Sequence, residues 1–117
     1  MSHEKINYLE LPSSDLSATK AFFSQVFDWD FTDYGPEYVA FGPSAGLDGG
    51  FYLSESNSHT DQGAALIVFY SSDLAVTQEK IQAAGGKINQ ATFEFPGGRR
   101  FHFIDPTGNE FAVWSDK

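Results

Sequence analysis

Ser13-Ser14-Asp15-Leu16-Ser17-Ala18-Thr19 returns 58 residues later as Ser71-Ser72-Asp73-Leu74-Ala75-Val76-Thr77. Each copy follows a short apolar run, Ile6 to Leu11 before the first and Ala64 to Tyr70 before the second. Each copy also opens a stretch with helical spacing. In the first, Asp15 or a serine before it supplies the N-cap, and Leu16, Thr19, Phe22, Phe23, Val26 and Phe27 share one face. In the second, Asp73 leads into Leu74, Thr77, Ile81 and Ala84, and Gly85-Gly86 provides the exit. An offset of about half the 117-residue chain predicts two modules of one supersecondary unit each, with a cleft between them. Two copies are too few for a solenoid.

The flanking sequence extends each module in the same order. The first apolar run alternates as a strand that Pro12 ends. After the first helix, Trp29 to Tyr34 reads as a strand with Asp28, Asp30 and Asp33 outward. Gly35-Pro36 turns into a strand over Glu37 to Gly42, and Pro43 to Gly46 turns into another over Leu47 to Ser54. Residues 55–62 are all polar and read as the linker between module one (5–54) and module two (63–116), with His59 solvated in it. In the second half Lys87 to Phe93, Arg99 to Ile104 and Glu110 to Ser115 read as strands. The turn Asp105-Pro106-Thr107-Gly108-Asn109 is a hairpin signal between the last two. Each half is strand, helix, three strands. The fold class is therefore α+β: a single domain over 1–117 of two tandem βαβββ modules forming a half-open mixed-sheet cleft.

Composition sets further bounds. Hydrophobic residues make up 41% of the chain and 12 residues are Phe, enough for a substantial core with aromatics left to line a pocket. The absence of Cys excludes disulfides, thiolate nucleophiles and Cys-held zinc or iron. Met1 to Lys5 has no apolar leader and no segment has the length of a membrane span, so a cytoplasmic location is expected. Net charge is −9, of which residues 1–62 carry −8 and residues 63–117 carry −1. That balance argues against nucleic acid and membrane surfaces as partners and favours a cationic ligand. The Gly-rich run Gly42 to Gly50 lacks the Lys-Ser/Thr ending of a phosphate loop and reads as turns. No Gly-x-Ser-x-Gly nucleophile is present.

Three segments resemble the vicinal oxygen chelate superfamily, the group of glyoxalases, bleomycin resistance proteins and extradiol dioxygenases. They are Leu9 to Leu16 with Ala21-Phe22-Phe23 and Val26-Phe27, Asp73-Leu74 through Ala84-Gly85-Gly86, and Phe103 to Phe111. The resemblance implies two half-open sheets forming a cleft, often completed by a second subunit, so a homodimer is expected. It implies no single activity, because the fold hosts lyases, epimerases, dioxygenases, thiol transferases and drug binders. Metal-using members hold a divalent ion with His or Glu from four inner-face positions. Carried onto this chain, those positions fall on Tyr8, on Phe51 or Tyr52, on Leu66 and on Ala112. None is His, Asp or Glu, so neither the usual metal centre nor any other cofactor is expected.

Candidate site residues come from strand parity. Tyr8 and Glu10 share a face, as do Glu110, Ala112 and Trp114, and as do Arg100 and His102, opposite Phe101 and Phe103. His102, with Glu10 or Glu110, is the candidate for acid–base catalysis; the plainer alternative is a structural imidazole. Tyr8, Tyr52, Tyr70, Arg100 and Trp114 are the candidate ligand-binding residues, suited to stacking a planar or cationic molecule. Arg99 or Arg100 grips a ligand carboxylate or phosphate, or else pairs with Glu10, Glu94 or Glu110. The expected role is binding of a small organic molecule. The alternative is a glyoxalase-like lyase, or another enzyme of the superfamily, with displaced metal ligands or metal-free acid–base catalysis.

Overall fold

The repeated heptapeptide builds the same joint twice. In the computed structural model, which describes residues 2–117, Ser13 closes strand β1 (Leu9–Ser13) and Asp15 caps helix α1 (Leu16–Phe27). The Ser13 and Thr19 hydroxyls lie 2.7 Å apart, the Asp15 N–H donates to Ser13 Oγ, and the Ala18 N–H donates to Asp15 Oδ1 at 3.1 Å. Between β5 (Ile67–Tyr70) and α2 (Leu74–Ala83) the contacts recur: Ser71 to Thr77 at 2.7 Å, the Asp73 N–H to Ser71 Oγ, and the Val76 N–H to Asp73 Oδ1 at 3.2 Å. The first serine and the threonine tie strand end to helix, and the aspartate satisfies an N–H that the helix leaves open.

The remaining strands are β2 (Phe31–Asp33), β3 (Tyr38–Phe41), β4 (Gly49–Leu53), β6 (Lys87–Phe95), β7 (Gly98–Ile104) and β8 (Glu110–Ser115). They form two four-stranded sheets in the orders β1-β4-β3-β2 and β5-β8-β7-β6. In each, the strand before the helix pairs in parallel with the last strand of its module, and the other pairs are antiparallel. Two mixed sheets with one helix per module match the α+β, tandem βαβββ expectation. No helix among the described residues is long and apolar enough to cross a membrane.

Three local readings are corrected. The first strand does not stop before Pro12 but runs through it to Ser13. β1 pairs on one side only, and an edge strand tolerates a residue without an N–H. Asp28 does not sit on a strand. It ends α1 at φ 60°, its N–H returning to the Phe23 and Ser24 carbonyls. The polar run 55–62 is more than a tether: the Ser58 N–H donates to Asn109 Oδ1 at 2.8 Å, and the Glu110 N–H donates to the Ser58 carbonyl at 2.8 Å.

Phe23, 0% exposed, explains how the halves meet. Its ring centroid lies 5.0 Å from Phe22, 4.7 Å from Trp29, 5.5 Å from Phe51 on β4 and 5.4 Å from Phe111 on β8. One residue of α1 thus touches both sheets. Leu11, Val39, Phe41 and Phe51 of the first sheet and Phe101, Phe103, Phe111 and Val113 of the second close over this shared core. Strand alternation sends the intervening residues to the opposite faces: Glu10, Tyr38 and Tyr52 on one sheet, Arg100, His102, Ala112 and Trp114 on the other. An apolar groove of about 470 Å³ runs between edge strands β1 and β5, lined by Leu9, Leu11, Trp29, Ile67, Phe69 and Phe111 among others.

Candidate functional site

The predicted polar residues form two clusters, one per sheet, and no hydrogen bond or ion pair among the described residues joins them. On the first sheet the Tyr8 and Tyr38 hydroxyls lie 2.7 Å apart, and Tyr38 Oη donates to Glu10 Oε2 at 2.9 Å. A phenol has one proton, and that of Tyr38 goes to the carboxylate, so Tyr8 donates to Tyr38. Burial, together with the hydrogen bonds to Tyr8 and Glu10, pushes the Tyr38 phenol far above its usual range. Its place depends on Gly50, where a Cβ would collide with the Tyr38 hydroxyl. Tyr52, in register with Tyr38 across β3 and β4, is exposed on the same face.

Glu110 organises the second sheet. It is 6% exposed. Its Oε1 accepts from Thr60 Oγ1 at 2.6 Å and the Thr60 N–H at 2.9 Å. Its Oε2 accepts from His102 Nδ1 at 3.1 Å and Asn89 Nδ2 at 3.4 Å. Four donors fill the sites a carboxylate offers. Burial raises the Glu110 carboxyl, but the bonds from Thr60, His102 and Asn89 outweigh it and hold the group down at about 2. His59, read as solvated, instead places Nδ1 2.9 Å from Asp61 Oδ1 and 3.4 Å from Glu110 Oε1.

His102 continues the network. Its Nε2 lies 3.0 Å from Arg100 Nη2. Arginine only donates, so Nε2 is the acceptor, and the ring proton sits on Nδ1, directed at Glu110. The Arg100 guanidinium is held by two rings, 5.8 Å from the Phe93 centroid and 5.7 Å from that of Phe95. The ion pairs with Glu10, Glu94 or Glu110 weighed for Arg100 do not form, and Arg99 donates to the Lys117 carbonyl. Tyr70 meets Trp114 edge-on at 5.2 Å and donates to Asp116 Oδ1 at 2.5 Å. That bond raises the Tyr70 phenol and lowers the Asp116 carboxyl.

Sequence reasoning missed Tyr38, Thr60, Asn89, Phe93 and Phe95. For Tyr38 a signal existed: it shares parity with Ala40, opposite the apolar Val39 and Phe41. Of the four positions carried over for a metal, Phe51 faces the core, which leaves Tyr8, Tyr52, Leu66 and Ala112. Leu66 and Ala112 have no donor atom, and no three His, Asp or Glu among the described residues converge to hold an ion. This donor set does not fit the divalent metal of the superfamily. A groove of about 530 Å³ lies between α1 and α2, lined mostly by other residues, with Tyr70 alone of the candidates on its wall.

Comparison with known proteins bears on this arrangement. The family model described as Glyoxalase/Bleomycin resistance protein/Dioxygenase superfamily matches residues 5–113. None of the curated proteins matches the chain. Among solved structures, the fold is similar to a glyoxalase-related enzyme from Fulvimarina pelagi (18% identity, 96% of this chain and 88% of that one, TM-score 0.76). It is similar also to the fosfomycin resistance protein FosX from Listeria monocytogenes (20%, 97% and 94%, TM-score 0.77). A third is TnmS3, an antibiotic binding protein from Streptomyces sp. CB03234 (20%, 98% and 98%, TM-score 0.68). At these identities the likeness is one of fold.

Proposed function

Because the chain belongs to the glyoxalase/bleomycin resistance protein/dioxygenase superfamily yet carries Leu66 and Ala112 where metal-using members have ligands, we propose that it binds a small organic molecule without a metal centre. The observation that carries this reading is the second sheet's outer face. There Tyr70, Phe93, Phe95 and Trp114 present ring surface around Arg100. Aromatic surface with a few fixed polar groups is what a small-molecule site requires. The likeness in fold to an antibiotic binding protein supports this reading.

Acid–base catalysis by His102 and Glu110 is the weaker reading. The His102 lone pair is committed to Arg100, and Glu110 is saturated by four donors. A general base needs a free lone pair aimed at substrate. The homodimer belongs to the same proposal: β1 and β5 lie at sheet edges and flank an apolar groove that a second copy would cover. Sedimentation equilibrium checks it, and a monomer at all concentrations would refute it.

The test of the main proposal is elemental mass spectrometry of protein purified without chelators, with thermal melts in divalent ions. Sub-stoichiometric metal and an unchanged melting temperature are expected. One ion per chain would overturn the metal-free reading.

A further inference from the structure

Arg100 is an uncompensated cation in an acidic protein. The chain has 16 Asp and Glu residues, yet among the described residues no carboxylate oxygen lies within 4.0 Å of its guanidinium. Its Nε is buried without a hydrogen-bond partner. Among the described residues its one side-chain hydrogen bond is to His102, a neutral acceptor. Glu110 lies behind His102 with its acceptor sites filled, and Asp116 takes the Tyr70 hydroxyl. A half-buried charge without a counter-ion costs free energy that an arriving anion on the guanidinium would offset.

The surroundings specify what else the anion carries. Phe93 and Phe95 fix the guanidinium plane, so little side-chain freedom remains to be lost on binding. Beside it lies a groove of about 300 Å³ lined by Val68, Phe95, Gly97, Arg100 and Trp114. That volume is at the small end of ligand sites and takes one or two fused rings. The net charge of −9 does not decide this. Residues 1–62 hold most of it, this half of the chain carries only −1, and screening over roughly 10 Å leaves Arg100 to set the local potential.

We propose that this groove binds a flat apolar monocarboxylate, its carboxylate on the Arg100 guanidinium and its ring against Trp114 and Phe95. This rests on the reading that the face binds small molecules, and it reverses the charge preference that overall composition suggested. The probes are naphthalene-2-carboxylate, its methyl ester and 2-naphthylmethylammonium, titrated calorimetrically into the full chain and into Arg100→Gln and Arg100→Lys. The acid should bind at least about tenfold more tightly than the ester, with an affinity that falls as salt rises. Arg100→Gln should abolish the preference and Arg100→Lys should keep part of it. If Arg100→Gln fails to fold, the acid–ester difference and its salt dependence in the unaltered protein decide the matter. Equal binding of acid and ester, or tighter binding of the ammonium, would overturn the anion anchor and leave the small-molecule reading standing. No binding of any probe would overturn both.

Discussion

Glu110 offers the most quantitative test of the site. In the unfolded chain its carboxyl titrates near 4.5, and in the fold it is held at about 2. With only 6% of the residue exposed, solvent screening takes little from the difference. A displacement of that size corresponds to about 3 kcal/mol of stability at neutral pH. The folded value is the lower one, so the contribution is complete above the unfolded value and is lost as pH falls towards the folded one. By about pH 3 roughly 2 kcal/mol of it is gone. Glu110→Gln keeps the shape but sets an amide against the Thr60, His102 and Asn89 donors. Urea unfolding of both proteins at several pH values between neutral and about pH 3 reads the gap directly. The variant should be less stable by about 3 kcal/mol at neutral pH, and the gap should narrow to about 1 by about pH 3 as the unfolded chain's carboxyl takes up a proton while the native one stays ionised. A gap that stays constant, or that widens in acid, would refute the account of Glu110 as an ionised, fully coordinated anchor.

The two helix joints should be energetically alike. Asp15→Ala and Asp73→Ala should each cost about 1 kcal/mol in urea unfolding, and costs that differ by more than that amount would show that the repeat is not equivalent in energy. On the first sheet, Glu10→Ala should move one of the 5 tyrosines part of the way back towards its ordinary titration range. Near-ultraviolet absorbance against pH follows this, and an unchanged curve would mean that Tyr38 is not bound to Glu10.

What the sequence disclosed follows from how local each cause is. The Ser-Ser-Asp-Leu repeat could be read because its hydrogen bonds span at most 6 residues. Period-two alternation likewise placed Arg100, His102, Glu110 and Trp114 on one face of adjoining strands. Phe93 and Phe95 escaped because the pairing of β6 with β7 shifts register between Ile88 and Gln90 and again between Gln90 and Phe93, which breaks parity counting. Thr60 and His59 escaped because a run of polar residues looks like a tether. Only the folded chain brings Thr60 to a carboxylate 50 residues away. Pro12 misled for a related reason: its cost in a strand depends on whether the strand is an edge, which sequence alone does not state.

Asn109 has a consequence for how the protein is made. Its buried side chain donates to the Pro12 carbonyl, 97 residues earlier, and accepts from Ser58. Phe111, two residues on, completes the covering of Phe23. A ribosome therefore releases the entire first module before the residues that finish it exist. Through that interval Phe23 and Phe51 have no second sheet to close over them, and β1 waits with an unmet carbonyl at its edge. Vectorial synthesis thus leaves a sticky half-protein for as long as translation of the second half lasts. Chains stopped short of the last hairpin should accumulate in the insoluble fraction.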